Sequence, residues 1–493
     1  MTTPKFVGVE TEYGITVTGP TEVNPVLASS MVVGAYRHAG DVRWDHTDEH
    51  PLRDARGYEV PDAHEPPSDD ELGLANTVLT NGARFYVDHA HPEYSSPECS
   101  NARDLVIWDK AGERILEDAA RRAEATLPDG GRVLIHKNNT DGKGAAYGTH
   151  ENYLVPREIP FGRLTRELLP FFVTRPVFTG AGRIGSELAD DVHFQLTQRA
   201  DFFEVEVGLE TTLKRPLMNT RDEPHADPEA YRRLHVINGD ANLCEVATFL
   251  KVGTMLLVLD LVEDGELGDL PVLARPVEAF HTVSHDLTCR VPLLLEDGRR
   301  MTALEIQGLY LEAAKRYCKD RDLDPVTADV LSRWEAVLTT AEADPRALAG
   351  QVDWATKLDL LESYRARHDL GWDSDRLKMV DLQYHDVRQD KGLYQRLASR
   401  GRVERLVAES EILHAIDHAP EDTRAWFRGE CLRRFRDQVV AAGWDALIFD
   451  TGGESLRRVP MLEPGRGTRA HVGELLDSVD DAAQLLDRLA GGD

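Results

Sequence analysis

The feature that most constrains the fold is a polar alternation that recurs in five strand-like stretches of the chain. In each stretch, side chains that can carry chemistry stand at every second position. Because side chains of a strand point alternately to opposite faces, each set shares one face of a sheet. The sets are Glu10 and Glu12; Arg84, Tyr86 and Asp88; His150 and Asn152; His193, Gln195 and Thr197; and Arg233 and His235. One such pair is ordinary on a solvated strand, but five sets predict a polar sheet face built around a charged ligand.

The order of the patterns predicts the fold class. Strand patterns are common in the first half of the chain, and apolar residues at helical spacing dominate from residue 240 to residue 368. Strands followed by helices favour an α+β fold, in which a curved, largely antiparallel sheet packs one face on helices and leaves its polar face open. A boundary between Ala419 and Pro420 divides a predicted main domain, residues 1–419, from a predicted small C-terminal domain, residues 420–493.

Three local predictions are specific enough to be tested against the structure. One strand pattern runs from residue 5 to residue 17. Strand patterns at residues 191–197 and 203–208 flank a short connection typical of a hairpin. A basic helix is predicted over residues 422–442.

Residues 41–71 differ from the rest of the chain. They hold eleven acids, three arginines and four prolines, and no apolar period is visible. This composition predicts a mobile acidic surface loop within the main domain. Both a lid over a site and a tolerated surface insertion fit it, and Arg53 and Arg56 are the groups through which a lid would reach phosphates or Asp88.

The charge balance limits the partners. The net charge of −29 argues against nucleic acid as the main partner, because phosphates would be repelled. No signal segment and no membrane span are evident, and five widely spaced cysteines indicate no disulfide framework, so a cytoplasmic protein is expected. The oligomeric state is left open, with a monomer as the working expectation.

Glu10 and Glu12 are the first candidates for chemistry. Two carboxylates two apart on a strand lie close together and repel unless a cation neutralises them. A hard cation with oxygen ligands, such as Mg²⁺ completed by phosphates, suits such a pair, and so does solvent on an exposed strand. Arg84, Tyr86 and Asp88 likewise fit either a site or a cross-strand ion pair.

Several longer motifs resemble a known family. They are Gly8-Val-Glu-Thr-Glu-Tyr-Gly14, Asn81-Gly-Ala-Arg-Phe-Tyr-Val-Asp88, His91-Pro-Glu-Tyr94, Lys137-Asn-Asn-Thr140, His150-Glu-Asn-Tyr153, the segment from Asn219 to Asp227, and Tyr231-Arg-Arg-Leu-His235. Together they resemble the Pup ligase and Pup deamidase/depupylase family, which is similar to a distant branch of the glutamine synthetase and carboxylate–amine ligase fold. The resemblance runs in order through nearly the whole chain.

The resemblance implies one of two activities on Pup, a small acidic, disordered protein tag. The ligase branch attaches Pup to lysines. The other branch converts the C-terminal glutamine of Pup to glutamate and hydrolyses the Pup–lysine isopeptide bond. The acidic insertion around residues 51–57 resembles the depupylase branch, so depupylation is expected. The ligase, and a non-catalytic Pup-binding protein, are the alternatives.

The resemblance also implies residue roles and cofactors, namely ATP, or ADP plus phosphate, and Mg²⁺. Asp88 is the expected catalytic residue, as nucleophile or as general base. The residues expected around Mg²⁺ are Glu10, Glu12, Tyr86, Glu93, His150 and His235. Those expected at the nucleotide are Arg84, Ser96, Asn152, Arg233 and Trp444. Because an acidic enzyme needs a locally basic groove to hold an acidic tag, we assign Pup binding to Lys214, Arg215, Arg221 and Arg232.

Overall fold

The computed structural model describes residues 4–19, 23–37, 42–47, 49–50, 52–57, 75–128 and 130–491. Its centre is a six-stranded sheet in which every neighbouring pair is antiparallel. In spatial order the strands are Tyr231–Val236, Thr149–Pro156, Val7–Glu12, His91–Ser95, Arg84–Asp88 and Asn76–Val78. The N-terminal strand thus lies inside the sheet, between strands that come much later in the chain.

The remaining strands form smaller sheets. Two-stranded sheets pair Gly14–Thr18 with Arg132–His136, Arg183–Ile184 with Phe194–Gln195, Phe203–Gly208 with Arg215–Asn219, and Leu293–Leu294 with Arg300–Met301. A four-stranded sheet has the order Arg457–Pro460, Ala446–Phe449, Val439–Ala442 and Arg43–Trp44.

Helices make up most of the rest of the described chain. The α-helices are Pro25–Gly34, Ala102–Glu124, Phe161–Thr174, Pro176–Thr179, Glu245–Asp264, Pro276–His285, Ala303–Cys318, Pro325–Ala343, Asp353–His368, Asp375–Tyr384, Leu393–Ser399, Glu409–Ala415, Arg424–Arg434, Arg469–Asp477 and Ala482–Ala490. Short 3₁₀ turns span Ala200–Phe202, Pro345–Leu348 and Arg436–Gln438. No helix among these described residues is long and apolar enough to cross a membrane.

Helix Ala102–Glu124 covers the back of the main sheet. It begins at Asn101, whose side chain accepts the backbone N–H of Asp104 and so caps the helix. Its buried apolar residues join the core that also contains Val7 and Val9, from the back face of the N-terminal strand. The opposite face of that strand carries Glu10 and Glu12. The predicted α+β fold, with a largely antiparallel sheet open on its polar face, is confirmed.

Two of the local strand predictions are wrong: the single strand over residues 5–17 is two strands, and the hairpin is absent. The pattern over residues 5–17 breaks at Tyr13, because Gly14–Thr18 leaves the main sheet to pair with Arg132–His136. The expected hairpin is absent: Phe203–Gly208 pairs in parallel with Arg215–Asn219. A period of two identifies strands, but it does not identify their partners.

The predicted helix over residues 422–442 is also too long. The helix ends at Arg434, and Val439–Ala442 forms a strand that pairs with Ala446–Phe449. Its second neighbour is Arg43–Trp44, in parallel. The predicted acidic loop therefore begins with a strand of the C-terminal sheet.

Other parts of the predicted acidic loop contact the main body. The backbone N–H of Ala55 donates to the carbonyl oxygen of Thr220, and the Thr220 hydroxyl donates to Asp54. Arg56 pairs with Asp54 at 2.7 Å. Residues 41, 48, 51 and 58–71 of the predicted loop lie outside the described residues. The division at residue 419 and the gating role of the loop stay predictions.

Candidate functional site

The register of the main sheet brings the sequence-predicted polar residues together. Glu10 faces Ser95 on one neighbouring strand and His150 on the other. Glu12 faces Glu93, which in turn faces Tyr86. Because residues directly opposite each other in antiparallel strands share a face, these side chains form one polar surface across the sheet.

One of the predicted sets does not belong to this surface. Phe194–Gln195 lies in a separate two-stranded sheet, and the Gln195 amide donates to Asp201 at 2.8 Å in a buried position. The prediction that His193, Gln195 and Thr197 join the polar face of the main sheet is wrong. The other four sets share that face.

Glu10, His150 and His235 form the first group of potential metal ligands, here called the mixed cluster. Their ligand atoms lie within 4.8 Å of one another. His150 Nδ1 is 3.1 Å from Glu10 Oε2, and the Asn152 amide donates to Glu10 Oε1 at 2.8 Å. Burial opposes ionisation of Glu10, but the hydrogen bond with His150 and the nearby Arg233 guanidinium hold its pKa well below the usual range.

The Asn152 amide fixes the protonation of His235. Its Oδ1 accepts from Arg233 and lies 2.9 Å from His235 Nδ1, while its Nδ2 donates to Glu10. Because Oδ1 can only accept, His235 carries its proton on Nδ1. Burial and the Arg233 charge lower the pKa of His235 well below its usual value, so the ring is neutral. Its buried Nε2 then presents a lone pair that has no hydrogen-bond partner within the described chain.

Glu12, Asp88 and Glu93 form the second group, here called the carboxylate cluster. Their oxygens lie within 4.8 Å of one another. Within the described chain, no Lys or Arg side chain comes within 4.0 Å of them. Burial and the charges of Asp88 and Glu12 raise the pKa of Glu93 well above its usual value. Asp88 is the accessible member, with 37% of its side chain exposed.

Gly148 shapes the boundary between the two clusters. Its backbone N–H donates to Glu12 Oε1 at 2.6 Å, and His91 Nδ1 lies 3.0 Å from Glu12 Oε2. Burial opposes ionisation of Glu12, but these contacts lower its pKa. A Cβ at Gly148 would lie 2.5 Å from His150 Nε2 and 2.6 Å from Glu12 Oε1, so any larger residue would displace a member of each cluster.

The donor sets determine which metal each cluster suits. Three carboxylates without a neighbouring cation fit a hard divalent ion such as Mg²⁺, which prefers oxygen ligands. The mixed cluster offers one carboxylate and two imidazoles, and the free lone pair of His235 is a suitable ligand atom. Burial raises the pKa of Tyr86 well above its usual value, and a neutral phenol is a weak ligand for Mg²⁺. The role of Tyr86 beside a metal stays a prediction.

A cavity opens beside the mixed cluster. Gly8 lines its floor, and Trp444 reaches it from the C-terminal segment. Four of the five residues predicted to hold a nucleotide also line it: Ser96, Asn152, Arg233 and Trp444. The cavity combines an indole ring, apolar walls and a guanidinium, which suits an aromatic base joined to an anionic group.

Arg84, the fifth predicted nucleotide residue, stands next to this cavity. Its guanidinium lies between the rings of Trp44 and Tyr86, 4.0 Å from each centroid. Glu49 lies 3.6 Å from it and also accepts from the Trp44 indole N–H. The beginning of the predicted acidic loop therefore contacts the polar face.

The predicted Pup-binding residues do not form one group. Lys214 is exposed, and Arg215 donates to the carbonyl oxygen of Ala146. Arg232 is buried on the back of the sheet, where it donates to the carbonyl oxygen of Ile159. Since Arg232 directly precedes Arg233, strand alternation requires the two guanidinium groups to point to opposite faces. The prediction that Arg232 and residues of the polar face form one groove is therefore wrong.

Several contributors to the site were missed from the sequence. Glu223 accepts from Arg233 at 3.2 Å and from the backbone N–H of His50. Glu98, at the edge of the cavity, pairs with Arg424 and Arg428. Arg424 and Arg428 stand one helical turn apart, a signal that was available, but their common partner lies more than 300 residues earlier.

Fold and site together define an α+β protein with a carboxylate-rich sheet face and an adjoining cavity suited to a base and an anion. The sequence matches the family described as Pup-ligase protein over residues 5–448, and the chain therefore belongs to that family. It is 56% identical to the depupylase of Acidothermus cellulolyticus, with 99% of each chain covered. It is 54% identical to the Pup deamidase/depupylase of Mycolicibacterium smegmatis, over 98% of this chain and 99% of the relative.

Two solved structures extend the comparison to the ligase branch. The complex between Pup and its ligase PafA superposes with a TM-score of 0.81 at 34% identity and covers 99% of this chain and 95% of that one. PafA in complex with ADP superposes with a TM-score of 0.74 at 37% identity, over 82% of this chain and 89% of that one. Members of this family thus bind nucleotide on this fold.

Proposed function

We propose that the protein is a Pup deamidase/depupylase that requires a bound nucleotide and Mg²⁺. It converts the C-terminal glutamine of Pup to glutamate and hydrolyses the isopeptide bond between Pup and a substrate lysine. The observation that carries the proposal is the carboxylate cluster, where the accessible Asp88 stands beside two buried carboxylates. The identities of 54–56% to depupylases, against 34–37% to the two ligase structures, favour hydrolysis over ligation.

Asp88 performs the chemistry in this proposal. Its carboxylate either attacks the amide carbonyl or takes a proton from the water that attacks it. The adjacent His89 holds Asp88 Oδ2 through Nδ1 at 2.9 Å, which leaves Oδ1 for the reaction. If Asp88 attacks, the C–N bond breaks with loss of ammonia or the lysine amine, and water then hydrolyses the anhydride formed between Asp88 and Pup. If Asp88 activates water, the water adds to the carbonyl and the same amine leaves. Both routes leave a new carboxylate on Pup.

The two clusters and the cavity supply the surroundings of the reaction. Arg233 and Arg84 are placed to bind phosphates, Trp444 to contact the base, and Ser96 and Asn152 to line the pocket. Glu10, Glu12, Glu93, His150 and His235 would hold Mg²⁺. When bound, Mg²⁺ with the nucleotide phosphates supplies positive charge where the amide oxygen becomes negative. The family resemblance implies that nucleotide is required without being consumed at each turnover, and we propose that it acts as part of this electrostatic site.

We further propose a small domain that completes the cavity. It comprises residues 420–493 and the strand Arg43–Trp44, which share one hydrophobic core. This core also takes in Val78 from the edge strand of the main sheet, and it is distinct from the core that contains Val7 and Val9. Its Trp444 lines the cavity, so the nucleotide binds between the two units.

Pup binding is proposed for the exposed Lys214 and the half-buried Arg221, which lie in the chain between two strands of the main sheet, Thr149–Pro156 and Tyr231–Val236. Charge reversal of both is expected to raise the Michaelis constant for Pup at least fivefold and to leave nucleotide affinity unchanged, with a stronger effect at low salt. Lys319→Glu, at the exposed end of a helix, is the matched control. A Michaelis constant that does not respond to salt or to these changes would move Pup to an apolar docking surface.

The function itself is tested by incubation with Pup ending in glutamine, with ATP and Mg²⁺. Mass spectrometry is expected to show a gain of about one dalton in the tag, since amide nitrogen is replaced by oxygen. A pupylated model protein should lose its tag in the same mixture, and reactions without nucleotide should do neither. Attachment of Pup ending in glutamate to lysines would instead establish the ligase. Binding of Pup without either reaction would establish a non-catalytic protein.

A further inference from the structure

The helix Arg424–Arg434 of the proposed small domain supplies a fully buried arginine at the contact between that domain and the main sheet. Arg428 has no measurable exposure. Its five N–H groups make five hydrogen bonds: two to the carbonyl oxygen of Gly82, two to the carboxylate of Glu98, and one to the carbonyl oxygen of Trp444. A guanidinium has five donors, so none is left over.

The partners of Arg428 belong to two separate elements beside the proposed nucleotide site. Gly82 lies in the turn that leads into strand Arg84–Asp88, two residues before Arg84. Trp444 lines the cavity, and the Arg428 guanidinium is 5.0 Å from its ring centroid. One side chain thus holds both the backbone behind Arg84 and the ring that faces the cavity.

The packing around Arg428 is built for this close approach. Gly82 has a φ of +80°, and a Cβ there would lie 3.0 Å from Ala425. A Cβ at Gly429 would lie 2.3 Å from the carbonyl oxygen of Thr80. Small residues on both elements therefore let the helix touch the turn, at a distance that a larger side chain would prevent.

We propose that Arg428 is a positioning residue for nucleotide binding, which fixes Trp444 and the Gly82–Arg84 turn relative to each other. It touches no substrate and acts through these two partners. The inference rests on the proposed function only in taking the cavity for the nucleotide site. It goes beyond that function because it makes the helix Arg424–Arg434 a determinant of nucleotide affinity.

Lysine is the informative replacement. Arg428→Lys keeps the charge but has three donors on one atom, and it cannot span Gly82, Glu98 and Trp444 together. The dissociation constant for ADP with Mg²⁺ is expected to rise at least tenfold by calorimetry. The Michaelis constant for Pup at saturating nucleotide should stay within twofold. Arg433→Lys is the control, since Arg433 lies on the same helix and pairs with Glu430 at the surface.

A double-mutant cycle distinguishes an effect that Arg428 exerts through Trp444 from a general destabilisation of the protein. If Arg428 acts largely through the Trp444 ring, Arg428→Lys should weaken ADP binding less than threefold in a protein that already carries Trp444→Phe. Unchanged ADP affinity in Arg428→Lys, or the same tenfold loss in both backgrounds, overturns the proposal. If Arg428→Lys does not fold, Glu98→Gln replaces it. That variant should weaken ADP at least threefold, and wild-type affinity would overturn the proposal.

Because the Arg428 experiment measures ADP binding, its result does not depend on whether the protein cleaves Pup amides. Wild-type protein that binds ADP but cleaves no Pup amide would refute the amidase, while the Arg428 test would still be decided by binding alone.

Discussion

Glu10 and Glu12 lie two residues apart on one strand and face the same side of the sheet, but their surroundings differ. The carboxylate of Glu10 is matched within its cluster by His150, by the Asn152 amide and by Arg233 at 3.5 Å. Glu12 belongs to a cluster of three carboxylates without a Lys or Arg in contact among the described residues. The charge of Glu10 is therefore balanced by neighbouring groups, whereas the three carboxylates around Glu12 have no such cation beside them.

This difference indicates a division of roles along one face. Matched charges fix side chains in place, which suits the end of the face that borders the cavity. Carboxylates without a neighbouring cation repel one another, and a bound cation relieves that repulsion. Such a group suits the end of the polar face where Asp88 is accessible. Substitutions in one cluster at a time test whether the two clusters have these different roles.

The largest effect is expected at the accessible end. Asp88→Asn should lower amide cleavage by a factor on the order of 1,000 or more, because the variant lacks the attacking or proton-accepting carboxylate. ADP affinity should remain within twofold of wild type. Initial rates over the first minutes are the measurement, since slow hydrolysis of the new amide would restore Asp88. Asp190→Asn, at an exposed position, is the control, and rapid turnover by Asp88→Asn would exclude Asp88 from the chemistry.

Loss of a glutamate proposed to hold Mg²⁺, Glu10 in one cluster or Glu93 in the other, should weaken Mg²⁺-dependent nucleotide binding. Glu10→Ala and Glu93→Ala are each expected to lower affinity by about 10- to 100-fold, because each removes a ligand charge that the remaining donors cannot replace. Calorimetry with and without Mg²⁺ measures this directly. If either folded variant bound Mg²⁺-nucleotide as wild type does, that glutamate would be only a structural member of the face.

The stability of the metal-free protein should respond with opposite signs. Glu10→Gln breaks a matched set and is expected to lower the free energy of unfolding by about 1–3 kcal/mol. Glu93→Gln removes a crowded charge and should leave that free energy unchanged or raise it. Thermal unfolding in EDTA compares the two variants. A loss of equal size in both would mean that the clusters do not differ as described.

The smallest expected effects are two opposite dependences on pH. The pKa of Glu93 is raised, so its contribution to metal-free stability is present below about pH 4.5 and is lost as the pH rises through the raised value. Burial opposes ionisation of Glu98, but Arg428 and Arg424 lower its pKa to about 2, so its contribution is present above about pH 4.5 and is lost as the pH falls toward 2. Wild type minus Glu93→Gln and wild type minus Glu98→Gln should therefore slope in opposite directions. Parallel slopes would contradict the assignment.

Much of the polar face could be predicted from the sequence because it depends on a local rule. Alternation alone places Arg84, Tyr86 and Asp88 on one side of a strand, and the structure agrees. The same rule, applied to Arg232, would have excluded it from any groove shared with Arg233. Alternation does not name the neighbouring strand, which is why Gln195 was assigned to the wrong sheet.

The parts that could not be predicted depend on contacts between distant segments. Nothing near Glu98 in the sequence indicates that its partners are Arg424 and Arg428. Likewise, the acidic composition around Trp44 predicted a loop, because the strand it forms exists only beside Val439–Ala442. Pairing across hundreds of residues leaves no local period to detect.

The interior position of the N-terminal strand has a consequence for how the protein is made. Val7–Glu12 leaves the ribosome before its sheet partners His91–Ser95 and Thr149–Pro156, and Tyr231–Val236 follows later still. More than 200 further residues must therefore be synthesised before Glu10 meets His235, and about 200 more before Trp444 follows. Until then the strand must be kept from pairing wrongly with itself or with other chains. A nascent chain released before residue 444 would carry every carboxylate of the site and still lack the indole wall of its cavity.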